Sequence, residues 1–312
     1  MTPPTPPPAW HPTREIEFIA GTPPGGGQDR PARTLIRILE SAKLIDVPMT
    51  LANLPGNGGG HAWEALRARA GDPHVLSISA PPLLSNRILG TSGFDHAALT
   101  PVANLFTEYL AFIVPADSPI RDAATLLSML AADPASIRIS LATAVGSTSH
   151  IAMGQLLTHA GADPRKLDLR VFESAPYAVD DVAAGNAQLG VISAVSARKA
   201  LEAGTVRTLV VSAPARLSGV FAGAPTWTES SVPCVIGQWR GVLAAPGVGS
   251  AHLEYWTQVL GKAVRHPQWQ DELAANGWTD HFLIGTPLQS FLDDERAFTR
   301  DMLQALGLVS PP

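Results

Sequence analysis

"FIAGTPPGGGQDRPARTL", residues 18–35, runs an apolar stretch into three consecutive glycines, then an acid, then a helical pattern. Upstream, Ile16, Phe18 and Ala20 alternate with polar or small neighbours, which is the spacing of a strand. Downstream, Ala32, Leu35, Ile36 and Leu39 recur at helical spacing, with Arg30, Arg33 and Arg37 mostly off that face. Glycine is costly inside regular structure and favoured where backbone turns sharply or meets something closely. Asp29 is a helix-capping residue type at the entrance. The stretch therefore predicts strand, glycine loop, helix. Bare N–H groups at a helix start, together with the dipole, make an anion site; a tight turn without a ligand fits the same residues. A nucleotide loop does not fit. The Walker arrangement needs Lys and then Ser or Thr after the last glycine, and here Gln28, Asp29 and Arg30 follow; Arg30 also stands where the dinucleotide pattern needs its last glycine.

The same device recurs along the chain. Residues 47–68 run from a strand through Gly56, Gly58, Gly59 and Gly60 into a helix. Residues 74–89 form an alternating strand that breaks at Ala80, Pro81 and Pro82. Residues 137–157 pass from a strand through Gly146, Ser147, Thr148 and Ser149 into a helix with Ile151, Met153, Leu156 and Leu157. Short strands follow at 188–193 and 206–214, with a helical pattern between them. Strands alternating with helices predict parallel sheets covered on both faces, where ligands bind outside the carboxyl ends of the strands. Two apolar segments, 108–120 and 234–249, end in Pro115 and Pro246 and break the rhythm. They read as strands crossing between a domain I of 14–112 plus 240–312 and an inserted domain II of 113–239, with hinges near 113–115 and 237–241. Beyond 250 the apolar residues recur at helical spacing.

A chain of 312 residues has room for two domains. A net charge of −5 and a pI near 6.0 argue against nucleic acid or an acidic membrane surface as partner. The one cysteine, Cys234, rules out an intrachain disulfide and a cysteine-based zinc cluster, and reads as a small residue in a strand. No apolar run approaches membrane-spanning length. Carboxylates do not cluster at metal-ligand spacing, and nothing calls for a cofactor. Residues 1–13, "MTPPTPPPAWHPT", lack the apolar core of an export signal and read as a proline-rich, disordered lead-in. The expected location is the periplasm if Met1 replaces a removed leader, and the cytoplasm if Met1 is native.

Six segments in consistent order, spanning about residues 14 to 309, resemble the periplasmic solute-binding proteins of tripartite tricarboxylate transporters, the Bug or TctC family. They are "PPGGGQD" (23–29), "NLPGNGGG" (53–60), "GDPHVLSIS" (71–79), "LTPVANL" (99–105), "TAVGSTSH" (143–150) and "QWRGVLAAPG" (238–247). The resemblance implies an α/β, two-domain fold of the type II periplasmic-binding-protein kind, with two crossover strands and a ligand cleft that closes around a small carboxylate. It implies a monomer that needs no cofactor and delivers its ligand to membrane transporter subunits. The two glycine loops would hold one carboxylate through backbone N–H groups and water, placing Pro24, Gly25, Gly26, Gly27, Asp29, Gly58, Gly59 and Ala80 at the ligand. Ser147, Thr148 and Ser149, with Ser174, Ala175 and Ser193, would meet its distal end. Gly26→Val is then expected to block the backbone approach.

The sequence also departs from the family pattern. Gln28 replaces the tryptophan of the branch that binds tricarboxylates. Glu173 stands where that branch often has a basic residue, and Ile192 and Ser193 stand where amino-acid and aromatic binders often carry Asp-Asn. These departures favour a ligand with one firmly held carboxylate and an apolar or weakly polar remainder. A sensory role without transport is the alternative. A hydrolase is disfavoured, because the Gly-x-Ser-x-Gly elbow is absent, no His-x-x-x-His run occurs, and Ser149 beside His150 does not establish a nucleophile–base pair.

Overall fold

The computed structural model describes residues 10–310, which divide into two compact units. Unit 1 comprises the described residues up to Phe106 together with Trp239–Ala275 and Asp280–Arg296. Unit 2 comprises Thr107–Gln238, Asn276–Thr279 and the described residues from Ala297 onward.

In unit 1 the chain begins β1 (Ile16–Ala20), α1 (Asp29–Ser41), β2 (Met49–Asn53), α2 (Gly60–Arg67), β3 (Val75–Ser79) and α3 (Pro82–Ile88) before entering β4 (Thr100–Pro115). β1 lies between β2 and β3 and is parallel to both, so all three strands end on one edge. Ile16, Phe18 and Ile19 are fully buried; each such side chain contributes roughly 1.5–3 kcal/mol by leaving water. Trp63 of α2 is buried against this sheet and donates its indole N–H to the Ile78 carbonyl at 2.8 Å.

Unit 2 continues with α4 (Ala123–Ala132), β5 (Arg138–Ala142), α5 (Thr148–His159), β6 (Asp168–Phe172), α6 (Ala175–Ala183), β7 (Leu189–Ser193), α7 (Ala194–Glu202) and β8 (Val206–Val211). β5 sits between β6 and β7, parallel to both, while β7 and β8 pair antiparallel with β4. The unbroken burial of β4 over residues 102–114 explains the apolar run of its second half, residues 109–114, which a half-exposed strand would interrupt with polar residues.

The chain returns to unit 1 through β9 (Gly237–Ala244), antiparallel to β3, and continues as α8 (Ser250–Val264), α9 (Pro267–Asn276), β10 (Thr279–Leu283) and α10 (Gly285–Ala305). Both β4 and β9 are therefore shared between the units, as is α10. No described helix is long and apolar enough to cross a membrane.

Three sequence expectations need correction. The segment from Ala297 groups with unit 2 and not with the first domain, because Leu303 is buried there and the position of a side chain at Gly154 would lie 3.1 Å from Leu306. The expected lead-in over 1–13 falls partly outside the described residues, but Trp10 is packed edge-on against His252 (4.7 Å), Tyr255 (5.1 Å) and His74 (5.4 Å), and the Thr13 N–H donates to His74 Nε2. An aromatic anchor thus orders the last residues of that segment. Cys234 lies outside any strand; it is fully buried, and burial pushes its thiol up to about 12.

Candidate functional site

In unit 1 the three parallel strands deliver three loops to one edge. The loop after β1 touches the loop after β2: a side chain at Gly21 would sit 2.3 Å from Gly59 Cα. The loop after β3, where Ala80 is buried, meets the second loop as well, since a side chain at Gly58 would lie 2.8 Å from Pro82 Cβ. Pro24, Gly25 and Gly27 are exposed at this edge, as is Gly58, while Gly59 is buried beneath them.

Hydrogen-bond accounting shows which of these amides are free for a ligand. The Gly25 N–H donates to Asp29 Oδ2 at 2.7 Å and the Gly26 N–H to the Pro23 carbonyl at 2.9 Å. The N–H groups of Gln28 and Asp29 both donate to Thr22 Oγ1, at 3.2 and 3.1 Å. Thr22 therefore caps α1 from six residues upstream, a role the sequence suggested for Asp29. Asp29 is instead the first residue of the helix. Its carboxylate is 1% exposed and accepts from Gly25, Asn53 Nδ2 (2.8 Å) and Arg33 Nε (2.9 Å). Those oxygens serve the loop's own architecture.

Among the described residues the N–H groups of Gly27 and Gly58 have no partner, nor have those of Thr22, Gly56 and Asn57 in the same loops. Gly27 and Gly58 are exposed, and both have their carbonyls held by a buried side chain. Gln28, 3% exposed, accepts the Gly21 N–H on Oε1 at 3.0 Å and donates Nε2 to the Gly58 carbonyl at 3.0 Å. Arg240 donates Nε to the Gly27 carbonyl at 2.9 Å. Two accessible N–H groups on rigidly held glycines suit the two oxygens of a carboxylate.

In unit 2 the parallel strands β5, β6 and β7 likewise end together, each followed by a helix. The Thr143 N–H donates to the Phe172 carbonyl at 2.7 Å and ties the first two ends. Ser147, Ser174 and Ser193 occupy the N-cap positions of α5, α6 and α7, and none uses its hydroxyl to cap its helix. Ser147 Oγ is buried with no partner, whereas Ser193 Oγ pairs with Ser196 Oγ at 2.8 Å. Thr148 and Ala175 begin their helices, and Ser149 is buried in the first turn of α5. Val145 and Tyr177, at 46% and 54% exposure, leave apolar surface at the same strand ends, and Glu173 is exposed.

His150 fixes the first of these loops. The Gly146 N–H donates to His150 Nδ1 at 3.0 Å, which requires a neutral ring. Burial lowers the imidazole from its ordinary 6.5 to about 4. Because the folded value lies below the unfolded one, the unfolded chain binds the extra proton first as the solution is acidified. The contribution is complete above pH 6.5 and is lost as the pH falls toward 4. The melting temperature is expected to drop across that window, and His150→Gln, which keeps an acceptor without a titration, is expected to flatten the drop. Parallel pH curves for the two proteins would overturn this.

An open groove of about 630 Å³ lies along α1 and β2, lined by Arg33, Ile36, Arg37, Met49 and Leu51 among others. Its two arginines are already paired, Arg33 with Asp29 and Arg37 with Glu272. Among the described residues it presents no free cation or unpaired backbone amide for an anion, and its Glu40 carboxylate would repel one, so the strand-end loops are the stronger candidate.

A family model described as "Tripartite tricarboxylate transporter family receptor" matches residues 36–308. This chain belongs to the tripartite tricarboxylate transporter receptor family. The receptor is 24% identical to Protein BugT of Bordetella pertussis over 299 residues, covering 94% of this chain and 87% of BugT. A TctC solute-binding protein from Polaromonas has the same fold, with a TM-score of 0.80 and 23% identity over 95% of this chain and 99% of its own. An R. palustris protein solved with adipate superimposes with a TM-score of 0.79 and 22% identity, covering 95% of this chain and 98% of that one. The fold is thus the α/β fold of periplasmic solute-binding proteins. Sequence reading of the receptor missed Thr22, Gln28, Asn53 and Arg240 as site architecture. Only Gln28 gave a signal, by departing from the family's tryptophan.

Proposed function

We propose that this receptor binds a small organic acid through one carboxylate, held by the Gly27 and Gly58 amides, and passes it to membrane transporter subunits from the periplasm. The observation that carries the reading is the pair of exposed glycines whose N–H groups are free while their carbonyls are tied down by Gln28 and Arg240. The adipate held by the R. palustris relative supports a carboxylate as ligand class. The strand-end loops of unit 2 carry the N-cap serines Ser147 and Ser174, apolar surface from Val145 and Tyr177, and no cation. A second carboxylate would meet the exposed Glu173 and no arginine or lysine in those loops. The ligand therefore has one charged end and an apolar or weakly polar remainder. Capture proceeds by closure, favoured by the ligand's greater affinity for the closed state.

A thermal-shift and calorimetric panel of mono-, di- and tricarboxylates, aromatic acids and amino acids tests this directly. Ligand binding raises the melting temperature by mass action. The largest shift is expected from a monocarboxylate with an apolar body, accompanied by a smaller radius of gyration in solution scattering. Tighter binding of citrate than of every monocarboxylate would overturn the assignment.

A further inference from the structure

Arg240 stands on β9 and is 7% exposed, an uncommon place for a guanidinium. It is remote in sequence from the glycine loop, separated from Gly27 by 213 positions. Its Nε donates to the Gly27 carbonyl at 2.9 Å and its Nη1 to the Trp239 carbonyl at 2.9 Å. The second bond anchors the guanidinium to its own strand, so the first anchors the loop to that strand. A side chain at position 27 would lie 3.1 Å from Arg240 Nη2, so the guanidinium would have to give by a few tenths of an ångström.

We propose that Arg240 is a positioning residue for ligand binding: it ties the Gly27–Gln28 peptide to β9 and so holds the loop that presents the Gly27 N–H, carried on the preceding peptide, to a carboxylate. The proposal rests on the reading that Gly27 receives the carboxylate. The neighbouring amides cannot take over this task, because Gly25, Gly26, Gln28 and Asp29 already donate within the loop. The orientation of the Gly27 N–H depends on the two peptides that flank Gly27: the Arg30 N–H holds the Gly26 carbonyl at 3.1 Å on one side, and Arg240 holds the Gly27 carbonyl on the other. A hydrogen bond from a charged donor is strong enough to hold such a peptide against thermal rotation. Arg240 acts here through the backbone, so any long donor that reaches the Gly27 carbonyl should partly replace it.

The test uses three full-length proteins, the wild type, Arg240→Met and Arg240→Lys, with the monocarboxylate of largest shift in the panel and adipate as probes. Hydrogen–deuterium exchange is first measured without any ligand. Arg240→Met is expected to raise exchange of the 24–29 amides by about tenfold while the β1 and β3 amides stay protected. Carboxylate affinity is expected to fall roughly 10- to 100-fold, and Arg240→Lys to recover most of it. Unchanged exchange at 24–29 together with unchanged affinity would overturn the proposal. So would exchange that rises throughout unit 1 in both variants without recovery by lysine, which marks Arg240 as a general structural residue. If the wild type binds no carboxylate, yet exchange at 24–29 still responds to Arg240→Met and is restored by lysine, the tether stands and the carboxylate reading fails.

Discussion

Gly59→Ala is expected to lower stability by roughly 2–5 kcal/mol and to weaken carboxylate binding by on the order of 100-fold. Gly59 has φ 113° and ψ −4°, a conformation that strains any residue with a side chain. An added methyl would also lie 2.5 Å from Gln28 Nε2 and 2.9 Å from Trp63 Cζ2. Neither neighbour can retreat cheaply. Trp63 is 1% exposed and bonded to Ile78, and Gln28 is bonded to Gly21 and Gly58. Displacing Gln28 releases the Gly58 carbonyl and so loosens the Gly58–Gly59 peptide that adjoins the Gly58 amide. Thermal melts and ligand titrations of Gly59→Ala beside Gly93→Ala check this. Gly93 has no atom within 4 Å of an added methyl, so that variant is expected to stay within about 0.5 kcal/mol of the wild type. Equal binding by the two variants would show that the packing under the loops is not needed for the ligand.

Asp29→Ala is expected to cost roughly 2–4 kcal/mol and to abolish measurable binding in the same titration. The variant strips the acceptor from the Gly25 N–H and from Asn53, whose amide also holds the Thr22 carbonyl at 2.8 Å. Arg33 is half exposed and can turn back to water, so the larger cost falls on the two donors left unpaired. The carboxyl also sets an acid limit. Burial pushes it up, but hydrogen bonds from Arg33, Asn53 and Gly25 and the charge of Arg33 outweigh burial and hold it below the ordinary 3.8. A lowered folded-state value means that the stabilisation is complete above 3.8 and disappears as the pH falls through the folded value. Denaturation curves in this acid range should therefore be steeper for the wild type than for Asp29→Ala. Identical acid limbs would assign the limit to other groups.

Much of the architecture was legible from residue order. The alternation before the first glycines is β1, the apolar spacing after them is α1, and the Ser147 loop leads into α5 as expected. The six family segments supplied the receptor assignment, which the family model over 36–308 establishes. The placement of the last helix was not legible, because α10 is amphipathic along its length and nothing in that pattern marks the handover at Arg296. Gly26 shows the difference on a small scale. A side chain there would meet Thr22 Cβ and Oγ1 at 2.6 Å, so Gly26→Val would dislodge the cap of α1 and need not touch a ligand.

The sequence by itself determined where glycine must interrupt the chain, which strands and helices flank each interruption, and that the interruptions fall at the carboxyl ends of strands. The tertiary structure alone decided which amides are left for a ligand. Each N–H group makes one good hydrogen bond, and its partner is often a side chain from elsewhere in the fold. The Gly25 N–H is consumed by Asp29, while those of Gly27 and Gly58 have no partner among the described residues, and Arg240 and Gln28 hold the carbonyls of these two residues. Local pattern cannot reveal the Arg240 pairing, since it exists only after β9, 213 residues on from Gly27, packs beside β3.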